Sequence, residues 1–314
     1  MNKVFITDRI VNASIEKKIL GDFLVSEPQK NITVLLVWHQ IVDEEFLNDF
    51  PHAEVIIRYG VGFDKIDLEA CRKRGITVCN NPDYCTEEVA DTATAMLLNG
   101  ARGVTRYNAL APHYRKGWQE NVMPGIKRTS SIKVGFIGLG RIGSLTLKNC
   151  QAIGYQTQFF DPNIAEGYDK VHNTSRCYSL DELLSTSDMV SLHCPLNKHT
   201  MGMVNQEFIN KMKPGASLIN TARGQLVQDI EVIYQALKSH HLSYVALDVL
   251  PEEPPQPHAI YDSWRRNEPW LAGRLIINPH AAYHSYESGQ EQRKKAAKNA
   301  LLAVTGKKPV NIVS

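Results

Sequence analysis

An α/β fold with two doubly wound parallel sheets is predicted by three features of the sequence. Short β-branched runs alternate with helical spacers along the chain, the pattern of βαβ units. A Gly-x-Gly-x-x-Gly segment, Gly138–Gly143, stands between one such run and an amphipathic stretch. The 314 residues are roughly twice the ~150 of a typical domain, so two domains are expected.

The elements follow in order. Val4–Thr7, Ile32–Trp38, Glu54–Arg58 and Ile76–Cys79 are short apolar runs separated by helical spacers, and they predict a first buried parallel sheet. From Thr86 the period changes. Val89, Ala93, Met96, Leu97 and Gly100 recur at helical spacing, with Thr86 as cap and Glu87 and Glu88 in the first turn. The pattern predicts one long helix reaching towards Trp118, a bridge between domains. Gln119–Ser131, with Pro124-Gly125, reads as a loop. A second series then predicts six strands: Lys133–Ile137, Thr157–Phe160, Met189–His193, Ser217–Asn220, Val245–Asp248 and Leu275–Asn278. Helical stretches lie between them, around Arg141–Ala152, Leu180–Ser185, Asn205–Met212 and Ile230–Ser239. That alternation makes a complete doubly wound domain. Pro251, Pro254, Pro255 and Pro257 stiffen a loop before the last strand, and a final helix covers Tyr286–Val304.

Composition excludes several function classes. Lys+Arg number 35 against 33 Asp+Glu, a net charge of +2, which is no footprint for nucleic acid or an anionic membrane surface. No apolar run approaches the ~18–20 residues that span a bilayer, and the apolar start Val4-Phe5-Ile6 is too short for a signal peptide. The six cysteines form no CxxC pair, so neither structural zinc nor a disulfide scaffold is expected, and a reducing cytoplasm fits best.

The glycine segment Gly138-Leu139-Gly140-Arg141-Ile142-Gly143 has the context of a dinucleotide loop. Its first glycine permits a tight turn, its second leaves room for a pyrophosphate, and its third lets helix and strand pack closely. The helix N-terminus then attracts phosphate. Asp161, 18 residues past Gly143, could accept hydrogen bonds from the adenosine ribose hydroxyls and repel a 2′-phosphate. NAD is therefore expected over NADP.

Three strand-end positions are candidates for chemistry. Arg223, just past Ser217–Asn220, could hold a carboxylate bidentately and polarise a carbonyl. His280, past Leu275–Asn278, is a natural proton donor near neutral pH. Glu252 or Glu253, after Asp248, could orient that imidazole. Each has a plain structural alternative, a surface arginine or a solvated glutamate. His193 with Cys194 lacks further ligands for a metal site, so no metal is expected. His240-His241 reads as a solvated helix end.

Further segments add to these: Arg58-Tyr59-Gly60-Val61-Gly62-Phe63-Asp64, Gly75–Pro82, Glu88–Asp91, Leu192-His193-Cys194-Pro195-Leu196, Lys213-Pro214-Gly215, Asn220–Gly224, Ala246–Val249 and Asn278-Pro279-His280-Ala281-Ala282. In order, from about residue 54 to the last helix, they resemble the D-isomer-specific 2-hydroxyacid dehydrogenase family. The resemblance implies an NAD-binding Rossmann domain, residues 101–285, inserted into a split flavodoxin-like substrate domain, residues 1–100 and 286–314. It implies Arg223, Glu253 and His280 as catalytic residues, with Glu253 chosen because it stands five residues after Asp248. For NAD it implies Gly138, Leu139, Gly140, Arg141, Ile142, Gly143, Asp161, Cys194, Pro195, Thr200, Thr221, Ala222 and Asp248. For substrate it implies Arg58, the backbone amides of Gly60, Val61 and Gly62, and Tyr283.

The implied reaction is NAD-dependent interconversion of a small 2-oxo acid and its D-2-hydroxy acid, in a likeness that also carries homodimerisation. Glyoxylate or hydroxypyruvate reduction and D-3-phosphoglycerate dehydrogenation are narrower alternatives, the last disfavoured because only Arg58 and Lys65 are basic near the substrate loop. Within the family the chain looks closest to the branch of the C-terminal binding protein co-repressors, although Tyr283 replaces that branch's tryptophan. An NADH-responsive binding protein is thus the alternative from another class.

Overall fold

The computed structural model describes every residue except Met1, Arg9, Val11, Arg115 and Lys116. The chain divides into two compact units, Met1–Cys85 with His284–Ser314, and Thr86–Tyr283.

The first unit holds a sheet of five parallel strands, β1 (Lys3–Ile6), β2 (Leu24–Val25), β3 (Ile32–Val37), β4 (Val55–Arg58) and β5 (Thr77–Cys79), in the order β2-β1-β3-β4-β5. That is one of the two common doubly wound orders. Alternate residues of β3 face opposite layers: Leu35 and Val37 pack with Val42, Leu47 and Ile66, while Val34 and Leu36 pack with Leu20 and the final helix. The helix Tyr286–Val304 contributes Ala296, Ala297 and Ala300 to the second layer. Small residues there let it lie close on the sheet.

The second unit holds seven parallel strands: β6 (Lys133–Ile137), β7 (Gln156–Phe160), β8 (Ser175–Arg176), β9 (Met189–Leu192), β10 (Ala216–Asn220), β11 (Leu242–Leu247) and β12 (Leu275–Ile277). Their order is β12-β11-β10-β9-β6-β7-β8, which is the nucleotide-binding order with the chain reversing direction across the sheet between β6 and β9. Leu218, Val245 and Leu247 face one layer, and Ile219, Tyr244 and Ala246 the other. Burial on both faces explains why these strands read as continuous apolar runs.

Several expectations are refined. The strands β2 and β8, two residues each, escape a pattern search that needs longer runs. A helix at Ala259–Arg265 follows the proline-rich loop, where none was expected. The long helix to Trp118 is broken: Thr86–Arg102 ends at Gly103, which adopts φ 63°, and Val104–Leu110 starts a new helix. Thr86–Arg102 also packs with the second unit, so the division falls at 85/86 and 283/284 and not at 100/101 and 285/286. Met96, Leu97 and Ala101 share a core with Leu147 and Cys150. A Cβ on Gly100 would stand 2.6 Å from the Tyr244 ring, and Asn99 Nδ2 donates to the Tyr244 hydroxyl at 3.0 Å. Among the described residues no helix is long and apolar enough to cross a membrane.

Candidate active site

The glycine turn after β6 is built by close packing. Gly138 has φ 94°, and a Cβ there would lie 2.7 Å from Cys194 N. A Cβ on Gly143 would lie 2.3 Å from Gly138 O. Gly140 differs, because a Cβ added to it would meet nothing within 4 Å. It is also the N-cap of the helix Arg141–Ile153, with no side-chain capping bond. The positive helix end thus opens onto a space bordered by backbone, as a pyrophosphate requires. Leu139 is buried, so only its backbone faces this turn, and its N–H donates to Asp161 Oδ2 at 2.9 Å.

Asp161 sits just past β7, and its Oδ1 accepts from Asn163 N at 2.9 Å. The turn behind it is braced by Arg176, whose guanidinium donates to the carbonyls of Asp161 (3.3 Å), Ile164 (2.9 Å) and Ala165 (3.1 Å) while lying over the rings of Phe159 and Tyr178. Arg176 was not singled out in the sequence, and a two-residue strand left no signal for it. Cys194 follows β9 half-buried, its Sγ 3.9 Å from Met203 Sδ, and burial pushes its thiol up to about 11. Thr200 Oγ1 donates to Pro195 O at 2.6 Å, which closes the loop after β9 on itself. Beyond β10, Ala222 N donates to Asn220 Oδ1 at 3.0 Å. Thr221 Oγ1 is buried with no hydrogen-bond partner among the described residues. A buried hydroxyl without a partner carries a desolvation cost, and this one lies on the carboxyl edge where a dinucleotide would supply the partner. The residues present fit NAD.

The carboxyl ends of β10, β11 and β12 lie side by side. Asp248, buried just past β11, accepts from Ala281 N and Ala282 N at 3.0 Å each, and its carbonyl accepts from His280 N at 2.8 Å. Burial raises the Asp248 carboxyl above the usual carboxylate range, and the two amides oppose that shift. These bonds hold His280 in the left-handed region at φ 54°, an uncommon conformation for a non-glycine residue. The ring then meets the next loop: His280 Nδ1 lies 2.8 Å from Glu253 Oε2, while Glu253 Oε1 accepts from Leu250 N at 3.0 Å. The structure thus chooses between the two glutamates, and it is Glu253 that reaches the imidazole. A carboxylate on Nδ1 fixes the ring and leaves Nε2 to exchange a proton. Tyr283 packs edge-on to His280 with centroids 6.4 Å apart.

Arg223 is brought to this loop by its neighbour. A Cβ on Gly224 would stand 1.7 Å from Leu250 O, so the turn after β10 lies directly against the segment that carries Glu253. Asn220 Nδ2 donates to Arg223 O at 2.8 Å, and Arg223 Nη1 to Ala222 O at 2.6 Å.

In the first unit, the loop after β4 has its three carbonyls engaged. Asn81 N donates to Gly60 O (3.2 Å), Asn80 Nδ2 to Val61 O (2.7 Å) and Arg58 Nε to Gly62 O (3.1 Å). Arg58 is therefore a brace of the Gly60-Val61-Gly62 loop.

Two other histidines, His193 and His241, are occupied structurally. His193 pairs with Ser191 Oγ at 2.9 Å and stacks on Phe136, and burial lowers its pKa to about 4. His241 Nε2 lies 3.1 Å from Met212 O. Among the described residues no group of three His, Cys, Asp or Glu side chains is placed to hold a metal ion.

Comparison with known proteins gives a consistent set of likenesses. The family model described as D-isomer specific 2-hydroxyacid dehydrogenase, NAD binding domain, matches residues 94–282. A glyoxylate reductase of Korarchaeum cryptofilum is 32% identical over 276 residues, 87% of this chain and 80% of that protein. A glyoxylate reductase of Thermofilum pendens is also 32% identical over 276 residues, 87% of this chain and 78% of that protein. Among solved structures, the D-lactate dehydrogenase of Aquifex aeolicus, complexed with NAD and lactic acid, superposes with a TM-score of 0.83 at 29% identity and covers 97% of this chain and 96% of its own.

Proposed function

The chain belongs to the D-isomer specific 2-hydroxyacid dehydrogenase family and is an NAD-dependent oxidoreductase of 2-hydroxy acids; from that premise we propose that it reduces a small 2-oxo acid of the glyoxylate class and that Arg223, Glu253 and His280 carry the reaction. The bound cofactor would supply the redox chemistry, NADH giving a hydride to the second carbon of the substrate and NAD accepting one in the reverse direction. His280 Nε2 gives its proton to the carbonyl oxygen on that carbon, and Glu253 holds the ring through Nδ1. Arg223 binds the substrate carboxylate and polarises the carbonyl, a task suited to a planar guanidinium. The backbone amides of Gly60, Val61 and Gly62 add donors for the carboxylate, and Tyr283 contacts the substrate beside His280. Asp248 acts through the backbone, since its carboxylate is engaged with Ala281 and Ala282. Gly138–Gly143 receive the pyrophosphate, Asp161 the ribose, and Cys194, Pro195, Thr200, Thr221 and Ala222 border the cofactor.

The observation that supports this reading most is the 2.8 Å contact between His280 Nδ1 and Glu253 Oε2 at the strand edge shared with Arg223. NADH oxidation against a panel of 2-oxo acids tests it. Replacing His280→Ala should lower kcat by about 10²–10⁴-fold, the usual worth of a positioned general acid, with NADH affinity unchanged. Less than about fivefold loss would remove His280 from the role. Six cysteines without a disulfide support a reducing cytoplasm. Exposed Val104, Trp118 and Val122 support a homodimer.

A further inference from the structure

We propose that Gln292 reads a hydroxyl on the third carbon of the substrate, so that the protein is selective for 3-hydroxy-2-oxo acids; this deepens the reductase reading above and rests on it. Gln292 lies in the helix Tyr286–Val304 and is 1% exposed. Neither its Nε2 nor its Oε1 has a hydrogen-bond partner among the described residues. A primary amide offers two donors and two acceptor sites, and leaving a buried polar group unsatisfied carries a desolvation cost. An apolar residue of the same length would avoid that cost, since the stripe it belongs to continues as Ala296, Ala300 and Val304. The amide is therefore suited to a partner from outside the chain.

Its place says which partner. The backbone carbonyl of Gln292 accepts from Asn81 Nδ2 at 2.9 Å, and Asn81 N donates to Gly60 O at 3.2 Å. The next residue, Arg293, donates to buried Glu16 at 2.8 Å, and Glu16 accepts from the Tyr59 hydroxyl at 3.1 Å. Both flanks of Gln292 are thus tied to the two residues that follow β4, Tyr59 and Gly60. That is the carboxyl edge of a parallel sheet, where doubly wound domains bind ligands, and the same loop is proposed above to hold the carboxylate. A hydroxyl on the carbon next to the carbonyl can donate to Oε1 and accept from Nε2. Glyoxylate has no third carbon, and pyruvate offers only a methyl group there.

Hydroxypyruvate and pyruvate differ by that one oxygen, so their kcat/KM values with NADH read the contact directly. Sites built to bond a substrate hydroxyl reject the deoxy analogue by up to about 10⁴–10⁵-fold; a wild-type preference above ~10²-fold is expected here. Gln292→Met should bring the preference below ~10-fold by lowering the hydroxypyruvate value, with glyoxylate turnover within ~3-fold of wild type. Gln292→Glu provides a second variant of equal length, and NADH fluorescence with the melting temperature shows that each variant is folded. A wild-type preference below ~10-fold, or a preference that survives Gln292→Met, overturns the proposal and assigns the amide to an internal water. If no 2-oxo acid is reduced at all, the reductase reading fails first. Reduction of glyoxylate without hydroxyl selectivity leaves that reading standing and removes Gln292 from it.

Discussion

At the residue scale, two histidines at strand ends of the same sheet, past β9 and past β12, do opposite work. His280 is held in a left-handed backbone conformation with its Nδ1 on Glu253. His193 is taken up by Ser191 and the Phe136 ring, and burial favours its neutral form. This has a consequence for stability. The His193 pKa drops from 6.5 to about 4 in the folded chain, so the unfolded state binds the proton more readily. Its contribution is complete above pH 6.5 and is lost as the pH falls towards 4. Between pH 7 and 5 that amounts to about 2 kcal/mol. Unfolding of wild type and His193→Gln in denaturant across that range should show a shallower pH slope in the variant. Parallel slopes would mean that the ring is already solvated.

At the scale of elements, the site is made by loops that touch through backbone. The turn after β10 and the loop after β11 meet at Gly224 and Leu250, where no side chain fits. Overpacking of this kind costs typically about 1–3 kcal/mol, and here the clash falls on main chain that cannot rotate away. Gly224→Ala should lower the melting temperature by several degrees and lower kcat, because Arg223 and Glu253 are both displaced. NADH binding should change less, since the glycine turn after β6 is untouched. A variant that melts and turns over like wild type would show that the two loops yield without cost. Arg176 plays the comparable part beside Asp161, holding the carbonyls of Asp161, Ile164 and Ala165.

At the scale of the whole molecule, each unit completes its own sheet, and the final helix returns to the first unit to cover β1, β3 and β4. The segment after Gly103 leaves apolar side chains outside: Val104 is 61% exposed, Trp118 66% and Val122 70%. Tyr107 accepts Met123 N at its hydroxyl, 2.9 Å away, so the two ends of this segment are pinned together. Large exposed apolar groups gathered in one segment support the proposed homodimer surface. Light scattering should give twice the chain mass for wild type and the single mass for Trp118→Glu. A single-chain mass for wild type at micromolar concentration would discard the dimer.

The sequence by itself determined what is encoded locally. The two parallel sheets, the glycine turn with Asp161 behind it, and the strand ends bearing Arg223 and His280 were all legible, because β-branched runs, helical periods and turn glycines act over a few neighbouring residues. Where the signal was two residues long, at β2 and β8, it was lost. The helix predicted to run past Gly103 stops there, because the polar pattern continues through a residue whose positive φ ends it. The residue patterns left Glu252 and Glu253 open and the family resemblance pointed to Glu253; tertiary structure supplied its contact with His280. It alone decided that Thr86–Arg102 packs with the nucleotide unit and that Gln292 is buried with its backbone tied towards the Gly60 loop. Those outcomes join residues dozens to hundreds of positions apart, and they depend on which surfaces pack together once the sheets have formed.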